Sequence, residues 1–179
     1  MDLNKVRVSQ SPIEGVGVFA YVDFTAGESV LSIDDSRVVD ANHPVPKEEK
    51  IYQDFLSSGG VVLMQQPERH INHSCDPNVF VRTNKGVREV IAIRLIHAGE
   101  EIVLDYSING YDDTVWNCEC LSSRCRRAVH SDFFHLPMAV QFEYLPLLDH
   151  WYRVEFADQL RALDPANSSS QFDQKRHSA

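Results

Sequence analysis

No stretch of the 179 residues approaches the ~20 consecutive apolar residues that a membrane helix needs. The first residues, Met1-Asp2-Leu3-Asn4-Lys5, carry neither the charge pattern nor the apolar core of a secretory signal. An intracellular protein is the expectation, cytoplasmic, or nuclear if the source is eukaryotic. Cysteine is scarce, four in all. In a reducing compartment those four read as thiols or metal ligands rather than disulfides. Positive charge is in deficit: Lys plus Arg is 17 against Asp plus Glu at 26, a formal charge of −9. That balance argues against direct binding to nucleic acid or anionic lipid. It suits plain solubility, or a Lys- or Arg-rich peptide partner. G-x-S-x-G, H-E-x-x-H and a P-loop are all missing, so none of these motifs points to a chemistry here.

What is present is globular: 43% hydrophobic and 24% charged residues, enough for one domain with its own core. The first two thirds read as short strands. Val6 and Val8 alternate with polar residues, and Val18-Phe19-Ala20 follows a Gly15-Val16-Gly17 turn. Val30 to Ile33, Val61 to Met64, Val79 to Val81, Val87 to Ile93 and Ile102 to Leu104 are further strands between turn signals. Residues 34–60 are polar, with Pro44, Pro46 and Gly59-Gly60, and read as a variable insert with one short helix near Glu48 to Leu56. Many short strands and few helices predict small packed sheets rather than alternating βαβ units. From Leu136 to Leu163 the pattern turns helical. Leu147, Trp151 and Val154, flanked by Leu148, Tyr152 and Phe156, form an apolar stripe expected to complete the core, with Pro146 in the first turn of the longer helix. Residues 164–179 are Ser-, Gln- and Asn-rich and read as a flexible tail.

Four clusters carry chemistry. Cys118, Cys120 and Cys125 form C-x-C-x4-C, and thiolates on a tight loop converge on a soft cation such as zinc. Cys75 is the only other cysteine; four reduced thiols, or a site completed by His130, are the alternatives. Cys75 lies in Arg69-His70-Ile71-Asn72-His73-Ser74-Cys75-Asp76-Pro77-Asn78, dense in hydrogen-bonding groups and ending in a Pro-Asn turn. No nucleophile stands near His73. Gly15-Val16-Gly17 lets backbone approach a ligand closely, but lacks the third glycine of a dinucleotide fingerprint. Gly99-Glu100-Glu101 leads into a strand that ends in Asp105-Tyr106.

In this order the clusters resemble the SET domain family of protein lysine methyltransferases. Glu14 to Ala20 resembles G-x-G-V-F-A, Arg69 to Asn78 resembles R-F-I-N-H-S-C-x-P-N, and Gly99 to Tyr106 resembles G-E-E-L-x-x-D-Y. Cys118, Cys120 and Cys125 resemble the post-SET C-x-C-x4-C, whose zinc takes its fourth ligand from the N-H-S-C cysteine, here Cys75. The resemblance spans residues 6 to about 127 and implies a mainly β fold with some α, β-clip-like, with small sheets around a threaded pseudoknot-like core. It implies a SET domain at 1–117, a post-SET zinc loop at 118–130, a helical extension at 131–163 and the tail. It implies an S-adenosylmethionine-dependent lysine N-methyltransferase, with a catalytically weak peptide-binding module as the alternative.

By the same resemblance, S-adenosylmethionine is bound by Gly15, Val16, Gly17, Arg69, His70, Asn72, His73 and Tyr106. Tyr106 is the catalytic tyrosine, and structural zinc sits on Cys75, Cys118, Cys120 and Cys125. The substrate is a lysine-bearing protein or basic peptide, histones included, and a monomer is expected. Three departures stand out. His70 replaces a Phe, Leu121 stands where the loop often has Gly, and Leu104 stands where an aromatic often limits methylation. Leu104 lacks a hydroxyl to hold water, which points toward higher methylation.

Overall fold

The computed structural model describes residues 5–56 and 59–163. The twelve described strands form sheets of seven, three and two strands. The large sheet is ordered β1 (Val6–Gln10), β2 (Val16–Ala20), β10 (Glu101–Leu104), β8 (Val79–Asn84), β9 (Val87–Ala92) and β3 (Ser29–Ser32), with β7 (Asn72–His73) also on β10. Val18, Phe24, Val79, Ile96 and Ile102, all fully buried, form the first core at this sheet. The apolar runs seen in the sequence therefore become strands as expected. β8 runs three residues beyond Val81, because Arg82-Thr83-Asn84 pairs with Val87-Arg88-Glu89. Lys85 and Gly86 both have positive φ, the turn chemistry of a tight hairpin.

Strand β10 decides where the site forms. It pairs antiparallel with β2 and parallel with both β7 and β8. The side chain of Asn78, 1% exposed, makes this possible. Its Oδ1 accepts from the Val103 N–H at 2.9 Å, and its Nδ2 donates to the Glu101 carbonyl at 2.7 Å. Its own backbone N–H donates to the Val103 carbonyl, and its carbonyl accepts from Ile93. One amide thus ties the 72–79 segment, β10 and the end of β9 together.

The insert is more ordered than its composition implies. β4 (Val38–Val39), β5 (Gln53–Phe55) and β6 (Val61–Leu63) form the three-stranded sheet. The short helix expected near Glu48 to Leu56 is a 3₁₀ turn over Lys47–Tyr52 that gives way to β5, since pairing with β6 draws Gln53–Phe55 into extended backbone. Arg88 of β9 reaches both Asp35 and Asp54 and pins the insert to the large sheet.

The region expected to be helical from Leu136 is broken into α1 (Met138–Tyr144), α2 (His150–Glu155) and α3 (Ala157–Ala162). Pro146 sits in a separate 3₁₀ turn, Leu145–Leu147, rather than in the first turn of α2. The break follows from Asp149. Its carboxylate accepts from the Thr83 N–H and hydroxyl, both at 2.7 Å, and its N–H donates to Asn109 Oδ1, holding the chain extended before α2. Tyr144, Leu148 and Tyr152 face inward and build a second core with Phe80 and Phe133, whereas Val154 of the expected stripe is 63% exposed. Among the described residues, no helix is long and apolar enough to cross a membrane. The tail at 164–179 lies outside the described residues.

Replacing Asn78 by Ala orphans the buried Val103 N–H and Glu101 carbonyl. The expected cost is about 2–5 kcal/mol, read as a lower urea midpoint at unchanged m-value.

Candidate active site and metal centre

The β7–β10 pairing sets Asn72 beside Val103 and His73 beside Leu104, two residues before Tyr106. The Asn72 amide donates to the carbonyls of Glu14 and Val16, both at 3.2 Å, and to Glu101 Oε1 at 2.8 Å. Glu101 also accepts from the Ser11 hydroxyl. This network holds the Gly15-Val16-Gly17 segment against β7. Both glycines have local reasons. Gly15 has φ +49°, and a Cβ on Gly17 would stand 2.1 Å from Glu101 Oε1 and 3.1 Å from Asn72 Nδ2.

His73 is buried and bridges two groups. Its Nδ1 accepts from the Tyr106 N–H at 3.2 Å, so in the neutral ring the proton lies on Nε2, 3.5 Å from Cys75 Sγ. Burial brings His73 down to about 4; the Asp105 carboxylate opposes this and Arg126 adds to it. The Tyr106 hydroxyl donates to the Ile71 carbonyl at 2.7 Å. Although the residue as a whole is 44% exposed, loss of hydration around the phenol, with Glu14 as a lesser cause, pushes it up to about 12. Trp116 closes an aromatic corner, its ring centroid 5.2 Å from His73 and 6.0 Å from Tyr106.

The side chains of Arg69 and His70 face the insert. Their 3₁₀ turn, Glu68–His70, lies against β2, but the Arg69 guanidinium stacks over Tyr52 of the insert at 4.9 Å. Arg69 Nε donates to His70 Nε2 at 3.4 Å, and the His70 ring meets Tyr52 edge-on. Burial, then the Arg69 charge, lowers the His70 pKa. The unusual histidine thus links the glycine strand to the insert.

The four cysteines converge as the spacing allows: their Sγ atoms all lie within 4.8 Å of one another. His130 is not among them; its ring stacks on His135 at 4.6 Å. The donor set fits a soft tetrahedral cation with no open position. Backbone N–H groups already point at the sulfurs, Cys75 to Cys120 at 3.5 Å and Arg126 to Cys75 at 3.4 Å, as thiolates require. Burial raises the Cys75 and Cys118 thiols. Cys120 is lowered in spite of burial, by the Cys75 and Ser122 N–H groups and its thiol neighbours. The loop is framed by β11 (Val115–Asn117) and β12 (Ala128–His130), a hairpin absent from the sequence reading. Trp116 has no periodic partner in sequence, and Arg126 follows the last cysteine without further mark.

Residues 15–107, just over half of the chain, match the SET domain family. The chain belongs to the SET domain family. This SET domain is 33% identical to human histone-lysine N-methyltransferase 2B over 138 residues, 68% of this chain and 5% of that protein. It is 42% identical to histone-lysine N-methyltransferase SET9 of Gibberella zeae over 64 residues, 35% of this chain and 9% of that protein. It thus spans a small fraction of the length of these relatives. A humanized mutant of the Chaetomium thermophilum Polycomb Repressive Complex 2, bound to the inhibitor GSK126, aligns with TM-score 0.46 and 25% identity, covering 56% of this chain and 14% of that one.

Leu121, where the SET family loop often has glycine, has φ +60° and is 72% exposed. The loop therefore keeps the left-handed turn and accepts about 1–2 kcal/mol of backbone strain. Leu121→Gly is expected to bind zinc more tightly and Leu121→Val more weakly, a β-branched residue being worse there. Competition with a chromophoric chelator checks the order.

Proposed function

We propose that this SET domain is a protein lysine N-methyltransferase that uses S-adenosylmethionine, with structural zinc on Cys75, Cys118, Cys120 and Cys125. The observation that carries the reading is the meeting of Gly15–Gly17 at the start of β2, Asn72–His73 on β7 and Tyr106 just past β10, beside a four-thiol cluster. Gly15, Val16 and Gly17 offer backbone groups to the cofactor, the Asn72 amide fixes that backbone while His73 holds the Tyr106 N–H, and Arg69 and His70 border the pocket through the turn against β2. When bound, S-adenosylmethionine supplies a methyl group activated by its sulfonium charge.

The chain's own residues do the rest. Transfer needs a neutral amine, although free lysine has a pKa near ~10.4. A channel poor in water disfavours the ammonium. The Tyr106 hydroxyl donates its one hydrogen bond to the Ile71 carbonyl, so the oxygen presents only lone pairs to the site. Those lone pairs accept C–H···O contacts from the polarised methyl, or an N–H from the amine, and align the in-line displacement. Held up at about 12, Tyr106 stays neutral in the working range and serves as an orienting acceptor rather than a base. By the family resemblance Leu104, which packs against the first core, stands at the position that often limits methylation, and its lack of a hydroxyl favours higher methylation. The acidic surface, at net charge −9, suits a basic, lysine-bearing peptide. The relatives' names make histones the first substrates to test. A monomer in a reducing compartment, cytoplasm or nucleus, completes the reading.

Radiolabelled methyl transfer onto histones and cell lysate, followed by mass spectrometry, tests it. Labelled lysine is the expected result; no label with cofactor bound points to a peptide-binding module. Tyr106→Phe should lower kcat by roughly 100-fold or more with cofactor affinity kept, and near-normal turnover would sink the assignment. The rate should climb with pH as the lysine loses its proton. No inflection belonging to Tyr106 is expected below about pH 11, and an added one near 9 to 10 would contradict the account. Chelating zinc should abolish transfer before the core unfolds. Full activity in metal-free protein, verified by metal analysis, would remove zinc from the mechanism.

A further inference from the structure

Asp105, next to Tyr106, is fully buried yet has no part in the chemistry above. Arg126 forks onto it: Nη1 donates to Oδ2 at 2.6 Å and Nη2 to Oδ1 at 2.9 Å. Asp105 Oδ1 also accepts from the Ser107 N–H at 3.1 Å. Arg126 Nη2 reaches the Ser107 hydroxyl at 3.3 Å, and that hydroxyl donates to the His130 carbonyl of β12. The same arginine follows Cys125, and its backbone N–H donates to Cys75 Sγ. One residue therefore touches the thiol cluster with its main chain and the carboxylate beside Tyr106 with its side chain. A fully buried carboxylate is tolerable when paired in this bidentate way and costly when left alone.

We propose that Arg126 is a positioning residue that carries closure of the four-thiol loop to Tyr106. With the loop shut, the fork balances Asp105 and fixes the 105–107 turn, so the Tyr106 N–H stays on His73 Nδ1 and the hydroxyl on Ile71. With the loop open, Asp105 keeps an uncompensated charge, and the turn must swing toward water with Tyr106 on it. A lysine keeps the charge but cannot make the fork. Only the kinetic consequence rests on the methyltransferase reading; the structural coupling stands apart from it.

The test compares the zinc-loaded wild type with Arg126→Lys, Arg126→Met and the neutral pair Arg126→Met/Asp105→Asn. Hydrogen-exchange mass spectrometry of the Tyr106 segment, zinc content and steady-state kinetics are the readouts. Arg126→Met is expected to keep zinc and the protection of β1 and β2, but to exchange about 100-fold faster at residues 105–107. Arg126→Lys should fall between. The neutral pair should recover most of the protection, since it removes the stranded charge. kcat should fall about 100-fold in Arg126→Met with the cofactor KM unchanged. Unchanged exchange at 105–107 in zinc-loaded Arg126→Met, or a neutral pair no better than Arg126→Met, overturns the proposal. If Arg126→Met does not fold, Arg126→Lys carries the same decision: wild-type exchange in it overturns the coupling. A wild type without turnover would end the methyltransferase reading and leave the exchange result to decide this one.

Discussion

The site depends on one buried amide. Asn78 uses its side chain as though it were a stretch of backbone, giving β10 the donor and acceptor that a neighbouring strand would supply. That lets β10 lie among β2, β7 and β8, with three distant segments delivered to the same few ångströms. Without it, the Glu101 carbonyl and Val103 N–H would need water inside a core that excludes it. The glycine segment, the Asn72–His73 pair and Tyr106 are each ordinary pieces of chain; their meeting is the achievement of this pairing.

Much of this was legible in the sequence, and the gaps have physical causes. Apolar alternation and turn glycines located β1, β2, β3, β6, β8, β9 and β10, because those strands bury apolar side chains, although β1 buries only Val6 and leaves Val8 exposed. The two-residue strand β7 left no trace, since Asn72 and His73 are polar and pair through backbone alone. The β11–β12 hairpin was missed because its packing partner is the thiol cluster rather than an apolar sheet. Periodicity makes the helical stretch look less broken than it is, since it does not reveal that Asp149 is drawn away to Thr83. In the sequence Asn78 looks like a turn residue after Pro77, and its role as a clamp arises only from the strands it meets in space. The thiol set was legible because every cysteine in the chain belongs to it.

The thiol loop is tied to the body unequally. Arg124 pairs with Glu143 of α1 and with Asp76, but all three side chains are well exposed, and such pairs are worth about 0–1 kcal/mol. The Tyr144 hydroxyl reaches the Cys75 carbonyl at a long 3.4 Å. The Arg126–Asp105 fork is the buried tie, and burial makes it sensitive to geometry. The helical extension therefore steadies the loop from outside, while its register against Tyr106 is set from within.

The parallel contact between β7 and β10 has a consequence in time. Val103 must find Asn72 across some thirty residues, and β8 and β9 must form between them. Closing such long-range pairings is slow compared with local turns. On a ribosome, Gly15–Gly17 and the Asn72–Cys75 segment emerge well before Tyr106, and the last cysteine later still. No emerging fragment that stops short of residue 125 therefore holds the assembled site with all four of its thiols.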